Sequence, residues 1–469
     1  MRALILSPDY ASHYFPLSAV GRALERRGHE VFIATGPALA GRVRDDGFEY
    51  RELVLGPGSN SGLLRAAEQP VGEAEGVADF LAATREGMIA TLRYQADSRL
   101  RDLLWQPQEV TNRLSEIISD VKPGVVVSDQ LSFGATLALR ALDQPYVSFH
   151  PGHPSAIPGP GELFGFPTLR PREFAASEAE LSDLWRTCAE TSARFTRVFN
   201  TMLHALNPQA SPVSAALSAT SPLLTLLNYP ADVGGYRRAL LPPSAQFVGA
   251  SVRDEPAREN EVVGLLERRD VSRPRIYVSL GSFLSGRADV LRRIVSAFRE
   301  RPVELVLASG VTPAWALGEL PEAWHVRPTV PQPAVLESCD LVISHGGNNT
   351  VTEALWAGVP LLVCPFSSDQ FAGAEDVRRA GLGDIFDPNS ASADEVAGRA
   401  EGVLSSAAPE RAARLASKLR AHGGPDLSAR LIEQAFAGDR LAETRRLRSR
   451  SELTRAKPHP PRQAPTEAA

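Results

Sequence analysis

Short apolar runs alternate with segments of helical spacing from the first residues onward. Residues 2–7 (RALILS) form one such run, and apolar positions three or four residues apart then lead to Gly28. A second apolar run covers residues 29–35, and residues 8–16 are predicted to be the loop before the helix. A strand, a loop, a helix and another strand at this spacing form a βαβ unit, which predicts a parallel sheet.

The same pattern recurs in both halves of the chain, which predicts the α/β class with two parallel sheets rather than one very large sheet. Further apolar runs occupy residues 124–128, 145–149, 275–280, 303–308, 340–344 and 359–365. Polar and proline-containing sequence between the two groups predicts a linker. We therefore expect an N-terminal domain over 1–250, a linker over 251–272, a C-terminal domain over 273–440 and a disordered tail over 441–469.

The composition excludes several classes of protein. A hydrophobic content of 43% and a charged content of 22% in 469 residues are usual for a soluble globular chain. The net charge of -5 argues against a protein that binds nucleic acid through its phosphates. No apolar run approaches the ~20 residues that span a bilayer. The three cysteines lie far apart, so we expect no zinc site and no disulfide framework, and a cytoplasmic location. We expect a monomer or a homodimer.

A strand-to-helix turn in the second half has the features of an anion site. The run 340–344 is followed by HGGNNT and then by a helical pattern that contains Glu353. Glycines let the backbone approach a ligand, and a helix N-terminus offers unpaired N–H groups and partial positive charge, which suits a phosphate. Glu353, one turn inward, is placed to accept bonds from paired sugar hydroxyls; the alternative is an ordinary capped helix. The turn residues concerned are His345, Gly346, Gly347, Asn349 and Thr350.

This segment also resembles a known signature. Gln332, then HGGNNTVTEALWAGVP over residues 345–360 and then Asp369 and Gln370, is similar to the donor-binding signature of the UDP-glycosyltransferase superfamily (glycosyltransferase family 1). Bacterial macrolide and antibiotic glycosyltransferases have the most similar form. The resemblance implies the GT-B arrangement, in which two Rossmann-like α/β domains face each other across a cleft. The first domain would take the acceptor and the second would take the nucleotide sugar.

The resemblance implies a role for each donor-side residue. His345, Asn349 and Thr350 would hold the diphosphate, with Gly346 and Gly347 forming the turn, and Glu353 would hold the ribose. The other assignments are Gln332 beside the nucleobase, Ser282 facing the phosphates, and Asp369 and Gln370 on hydroxyls of the transferred sugar.

Two positions depart from the signature and leave the donor open. Thr329 stands where many members have a Trp that stacks on uracil, and Gly373 stands where an Asn is common. The intact pair of Asp369 and Gln370 favours a UDP-hexose. A thymidine-linked deoxysugar is the alternative donor.

His13 and Asp129 are the candidate catalytic residues. The segment HYFP over 13–16 fills the His-x-x-Pro place of the family, so His13 would be the general base. An acceptor hydroxyl is a poor nucleophile until its proton leaves, and a neutral imidazole suits this near pH 7. Asp129 ends the run 124–128, at the same carboxyl edge as His13, and would orient the imidazole. His150 and His153 are weaker candidates for lining the acceptor pocket.

The expected function is metal-independent, inverting transfer of a hexose from a nucleotide diphosphate sugar to a hydroxyl of a small apolar natural product. No Asp-x-Asp motif or His/Asp cluster suits a catalytic metal, and the nucleotide sugar is a co-substrate, so no cofactor is expected. Acceptor contacts are expected from residues of about 56–90 and 150–200. The alternatives are a sugar-nucleotide epimerase or hydrolase on the same scaffold, and a binding protein with a relic site.

Overall fold

A computed structural model of the chain describes residues 1–65, 69–70, 72–102, 104–253, 270 and 272–437. Most of the predicted linker and all of the predicted tail therefore lie outside the described residues, and the predicted domain bounds stay a prediction. Within the described part, no helix is both long enough and apolar enough to cross a bilayer.

A seven-stranded parallel sheet forms the core of the N-terminal half. Its strands lie in the order β3-β2-β1-β4-β5-β6-β7. The central strands are buried along almost their whole length because helices cover both faces of the sheet. The strands are β1 (Arg2–Leu6), β2 (Glu30–Thr35), β3 (Glu49–Glu52), β4 (Val125–Asp129), β5 (Val147–His150), β6 (Thr225–Leu227) and β7 (Ala245–Phe247).

Helices connect these strands and form the walls of the domain. The α-helices are α1 (Ala11–Arg26), α2 (Ala40–Asp45), α3 (Glu73–Glu86), α4 (Met88–Asp102), α5 (Pro107–Val121), α6 (Phe133–Ala141), α7 (Glu178–Leu206) and α8 (Ala231–Gly234). Short 3₁₀ helices occupy Pro37–Leu39, Pro154–Ala156, Ala216–Ser218 and Gly235–Leu240. The long helix α7 begins with a capping box, in which Ser177 and Glu180 each bond the other's backbone N–H.

A second parallel sheet, of six strands, forms the C-terminal half. Its order is β10-β9-β8-β11-β12-β13. The strands are β8 (Arg275–Ser279), β9 (Glu304–Ala308), β10 (His325–Arg327), β11 (Leu341–Ser344), β12 (Leu361–Val363) and β13 (Gly383–Ile385). The helices are α9 (Gly281–Leu284), α10 (Ala288–Phe298), α11 (Gln332–Leu336), α12 (Asn348–Ala357), α13 (Gln370–Arg379), α14 (Ala393–Leu404) and α15 (Ala408–His422), with a 3₁₀ turn at Ala314–Leu317.

The predicted class, α/β with two parallel sheets, is confirmed. Each apolar run of the sequence overlaps one of the longer or central strands. The apolar pattern does not predict the short strands β3, β6, β7, β10 and β13. They have only three or four residues each, and β3 (EYRE) is polar along its length.

Helix α1 begins at Ala11, so the prediction of a loop over residues 8–16 is wrong and His13 lies in the first turn of a helix. Pro16 favours a break because proline has no N–H to bond the carbonyl four residues earlier, here that of Ser12. The helix nevertheless runs through Pro16, since the Ser12 carbonyl accepts a bond from Asn349 Nδ2 at 2.6 Å instead.

The last described helix returns to the N-terminal half. We call it α16; it covers residues 424–437 and follows α15 directly. Ala429, Ile432 and Phe436 are buried in the core cluster of the N-terminal sheet, and Glu433 accepts a bond from Arg27 at 2.5 Å. This helix therefore follows the C-terminal domain in the chain and packs on the N-terminal one.

Candidate active site

His13 and Asp129 meet where the first sheet changes direction. Strands β1 and β4 are neighbours, and the chain continues from them to opposite sides of the sheet. Such a switch point leaves a crevice at the carboxyl ends of the strands. His13 follows β1 and Asp129 ends β4, and His13 Nδ1 lies 2.8 Å from Asp129 Oδ2. The structure thus brings the two predicted catalytic residues into direct contact.

This contact assigns the proton on the imidazole. A carboxylate can only accept, so Nδ1 of His13 carries a hydrogen and donates it to Asp129. The lone pair is then on Nε2, the nitrogen that remains available to take a proton. The other oxygen of Asp129 accepts from the backbone N–H of Leu131 at 2.8 Å, and the carboxylate is fully buried. Asp129 is therefore held at both oxygens and holds the ring in turn.

The surroundings of His13 raise its pKa above the usual 6.5. Burial of the ring acts in the opposite direction, because it disfavours the charged form. The negative charge of Asp129, its hydrogen bond and the more distant charge of Asp369 favour the imidazolium and outweigh that effect. A base with a raised pKa takes a proton readily, but it must first be deprotonated itself.

The anion-site residues meet at the corresponding point of the second sheet. Strands β8 and β11 are neighbours, with Ser279 opposite Ser344, and the order again changes direction there. His345 follows β11 and packs against Gly281 and Gly347. A Cβ at Gly281 would lie 2.7 Å from Cε1 of the ring, and one at Gly347 would clash with Nε2. Both glycines are needed because the backbone passes directly over the imidazole.

His345 is a neutral group at physiological pH. Burial lowers its pKa to about 4, although a backbone hydrogen bond at Ser279 and the charge of Asp369 act the other way. An uncharged imidazole can offer a phosphate a hydrogen bond but no positive charge. The positive potential at this turn therefore comes from the N-terminus of α12, which begins directly after Gly347.

Gln332 and Glu353 form a bonded pair beside the turn. Gln332 Nε2 donates to Glu353 Oε2 at 2.6 Å, and Tyr277 donates its hydroxyl to Gln332 Oε1 at 2.9 Å. The Thr350 hydroxyl lies 3.4 Å from the same Gln332 oxygen. The structure thus brings together the residues predicted to contact the nucleobase, the ribose and the diphosphate. Their individual roles stay predictions.

Asp369 and Gln370 begin helix α13 at the same edge. Asp369 is the residue before the helix, and its Oδ2 accepts from the backbone N–H of His153 at 2.6 Å. Gln370 Oε1 accepts from the backbone N–H groups of Phe366 and Ser367, at 3.0 and 3.1 Å. With its oxygen occupied, Gln370 retains its amide NH₂ as the group it can offer a sugar hydroxyl.

One cavity of about 670 Å³ lies between the two edges. His13 lines it from the N-terminal domain. Gly346, Gln332 and Glu353 are not among its lining residues. The predicted donor-side residues that line it are Ser282, His345, Gly347, Asn349, Thr350, Asp369 and Gln370. The candidate base and the candidate sugar-binding pair therefore face the same space.

Two predicted donor-side residues are also contacts between the domains. Asn349, predicted to hold a diphosphate, donates to the Ser12 carbonyl one residue before the candidate base. Ser282 accepts from Asn60 Nδ2 of the N-terminal domain at 2.8 Å. These side chains connect the donor side of the cavity to the acceptor side.

Sequence reasoning missed further contacts of the same kind. Asn348 donates to the carbonyls of Pro151 and Asn228 at 2.6 and 3.0 Å. Gln95 bonds Ser368, next to the sugar-binding pair. These partners lie more than 100 residues apart, so no local pattern in the sequence could have identified them.

His150, the last residue of β5, and His153 do not line the cavity, so that expectation is wrong. His150 is fully buried, with Nδ1 3.0 Å from Gln130 Oε1 and Nε2 3.0 Å from the His153 carbonyl. The ring of His153 lies 3.0 Å from Asp376 Oδ2 in the other domain. Both rings are occupied by protein partners. Among the residues that the structure describes, no group of three His, Cys, Asp or Glu side chains is placed to hold a metal ion.

The chain is similar to known glycosyltransferases along most of its length. Residues 293–433 match the family described as erythromycin biosynthesis protein CIII-like, C-terminal domain. The demethyllactenocin mycarosyltransferase of Streptomyces fradiae is 37% identical over 173 residues, which are 36% of this chain and 37% of that relative. The zeaxanthin glucosyltransferase of Pseudescherichia vulneris is 28% identical over 455 residues, 92% of this chain and 98% of that one.

The fold is shared along almost the whole chain. The crystal structure of the kitacinnamycin glycosyltransferase superposes with a TM-score of 0.65 at 23% identity, covering 92% of this chain and 98% of that one. The predicted GT-B arrangement is confirmed. The predicted resemblance to antibiotic glycosyltransferases is confirmed as well, and with it the prediction that the chain is an enzyme of the glycosyltransferase class.

Replacement of His13 by Ala tests its role as the base. We expect turnover to fall by about 10²–10⁴-fold, the usual contribution of a positioned base, because nothing then takes the acceptor proton. Affinity for the nucleotide should not change, since the donor-side residues lie on the other domain. The measurements are turnover and calorimetric titration with UDP, with His204→Ala on the exposed side of α7 as the control. Turnover of His13→Ala close to that of the wild type would falsify the role.

The pH profile of turnover should also report His13. The neutral form of His13 is the active one, and its pKa lies above 6.5. Turnover should therefore rise as the pH increases past this raised pKa, and it should fall as acid protonates the ring. The variant Asp129→Asn removes the charge that raises this pKa, so the rising limb should move to lower pH. Limbs that coincide in the wild type and the variant would show that a different group titrates.

Proposed function

We propose that the protein transfers a hexose from a UDP-sugar to a hydroxyl of a small apolar natural product, with inversion and without a metal ion. The observation that supports this most is the shared cavity. An oriented imidazole faces it from one domain, and the start of a helix with Asp369 and Gln370 faces it from the other. General base, phosphate site and sugar site are the three parts that a single displacement needs.

The reaction balances with these groups alone. His13 Nε2 removes the proton of the acceptor hydroxyl as its oxygen attacks the anomeric carbon. The bond from that carbon to the diphosphate oxygen breaks, and the nucleoside diphosphate leaves with the electron pair. The backbone N–H groups at the start of α12 face the charge that develops there. Attack opposite the leaving group inverts the anomeric carbon.

The acceptor is an apolar molecule in this proposal because aromatic side chains form much of its side of the cavity. They come from both ranges expected for acceptor contacts, 56–90 and 150–200, and from the helices beside them. The aromatic residues concerned are Phe80, Tyr94, Phe133, Phe164 and Phe166. Such surfaces bind apolar ligands through the area removed from water.

UDP-hexose is the favoured donor, and a thymidine-linked deoxysugar is the alternative. The favoured choice rests on Asp369 and Gln370, whose polar groups suit a sugar with all its hydroxyls. Thr329, which stands where a stacking Trp is common, is exposed. The choice between uracil and thymine as the nucleobase of the donor is therefore left to experiment. An epimerase or hydrolase would change the nucleotide sugar without an acceptor, so product analysis in the absence of acceptor separates these activities from transfer.

The proposal includes the surroundings in which the enzyme works. A cytoplasmic monomer or homodimer that meets only a nucleotide sugar and a small acceptor, and no nucleic acid, fits a net charge of -5. Size-exclusion chromatography with light scattering reports the oligomeric state directly.

A panel of nucleotide sugars tests the donor. UDP-glucose should be used better than its mono-deoxy analogues, because a missing hydroxyl leaves a polar group unpaired at ~1–3 kcal/mol. The variant Asp369→Ala should remove this preference and slow transfer, as measured by kcat/KM for each donor. If the wild type used a thymidine-linked deoxysugar far better than any UDP-hexose, Asp369 and Gln370 would not select hydroxyls in this way.

Chelation tests the metal-independent mechanism. Turnover should be the same with and without excess EDTA, because the N-terminus of α12 and its neighbouring donors stabilise the leaving group in this proposal. The matched measurement is turnover after addition of Mg²⁺ or Mn²⁺. Complete loss on chelation that either ion restores would contradict it.

A further inference from the structure

The segment that carries the candidate sugar-binding pair is held by the opposite domain. We call residues 367–370 the sugar loop; it connects β12 to α13 and contains Asp369 and Gln370. Gln95 on α4 reaches it with both ends of its side-chain amide. Its Nε2 donates to Ser368 Oγ at 2.8 Å, and its Oε1 accepts from the Ser368 backbone N–H at 3.0 Å.

The backbone at this point needs such support. Ser368 has a φ of 51°, in the left-handed region that residues other than glycine rarely adopt. A conformation of this kind persists where surrounding contacts hold it. Gln95 of the other domain bonds residue 368 twice, and residue 368 directly precedes Asp369.

His153 holds the next residue of the loop. Its backbone N–H donates to Asp369 Oδ2 at 2.6 Å, which leaves Oδ1 of that carboxylate for a ligand. Gly152 makes this approach possible, because a Cβ there would lie 2.9 Å from the same oxygen. One oxygen of the candidate sugar-binding carboxylate is therefore positioned by the N-terminal domain.

The ring of His153 also bonds helix α13 itself, at Asp376. Nδ1 accepts from the Ser155 backbone N–H at 3.1 Å, so Nε2 carries the hydrogen and donates to Asp376 Oδ2 at 3.0 Å. Tyr236, also of the N-terminal domain, donates to the other oxygen of Asp376 at 2.8 Å. Asp369 and Asp376 are seven residues apart and so lie on one face of α13.

We propose that Gln95 and His153 are positioning residues that orient Asp369 toward the transferred sugar, so that selection between donors is completed by contact between the domains. The inference rests on the proposed function and names the residues that set its specificity. In this proposal both residues act through Asp369 and not on the reacting atoms. Gln95 also lines the cavity from the side of the aromatic residues, next to Tyr94, so it lies between the acceptor space and the sugar loop.

The test compares Gln95→Ala with the wild type. The preference for UDP-glucose over its mono-deoxy analogues, taken as the ratio of kcat/KM values, should fall by about five- to tenfold, the effect of one or two lost hydrogen bonds. Affinity for UDP alone should stay the same, because UDP lacks the transferred sugar that Asp369 is proposed to contact. A fall in kcat with an unchanged ratio would mean a structural role only, and would overturn the proposal.

A second change separates positioning from general damage. Glycine adopts a left-handed φ without cost, so Ser368→Gly in the Gln95→Ala background should recover part of the lost preference. Damage elsewhere in α4 would not respond to a change at residue 368. His153→Phe keeps the backbone N–H that bonds Asp369 and removes the ring's bond to Asp376, so it should also lower the preference. An unchanged preference in Gln95→Ala or in His153→Phe would contradict the inference.

The matched control is another contact between the domains, one that bonds no residue of the sugar loop. Lys418 on α15 forms an exposed ion pair with Asp232. Lys418→Ala should leave the donor preference unchanged. An equal loss of preference in Lys418→Ala would show that any weakening of domain contact suffices, which would overturn a specific role for Gln95.

Binding without transfer keeps the two proposals distinct. The difference in affinity between UDP-glucose and UDP reports the sugar contacts even when no acceptor is converted. If the wild type shows that difference but transfers nothing, the proposed function fails. Loss of the difference in Gln95→Ala then still supports positioning, and an unchanged difference rejects it.

Discussion

The carboxyl edges of the two parallel sheets have to meet before this molecule holds both parts of a reaction. His13 and Asp129 lie at the switch point of one sheet, and His345 lies at that of the other. Neither edge is a complete candidate site, since one offers the candidate base and the other offers the candidate donors for an anion. Hydrogen bonds from Asn348, Asn349 and Gln95 join the edges around a common cavity. Chemistry and domain contact are therefore built from the same segments.

The start of helix α1 shows how closely the two are linked. Pro16 deprives the Ser12 carbonyl of its partner within the helix, and Asn349 of the other domain supplies the missing donor. The residue after Ser12 is the candidate base. A proline that would weaken an isolated helix thus creates an acceptor for the opposite domain, one residue away from the reacting group.

Two imidazoles of this cavity differ in charge because their neighbours differ. His13 has the buried carboxylate of Asp129 at 2.8 Å, and its pKa is raised despite burial. His345 is covered by Gly281 and Gly347 and has no carboxylate at that distance among the described residues, so burial dominates and its pKa falls to about 4. The ring of the candidate base can take a proton, whereas the ring at the candidate anion site stays neutral.

Local pattern was sufficient to predict the long strands, because parallel strands buried on both faces are continuous apolar runs. It also located Asp129 and the turn after Ser344, since residues that follow such strands share one edge of a sheet. His13 was identified through its resemblance to the His-x-x-Pro segment of the family. Local pattern could not predict that α1 begins before Pro16, because the side chain that bonds the Ser12 carbonyl lies 337 residues away. The same holds for Gln95, which meets Ser368 across 273 residues. The sequence by itself determined the two sheets and the chemical groups at their edges. Only the tertiary structure decided which groups meet across the cleft and which imidazole can carry charge, because both depend on neighbours from distant segments.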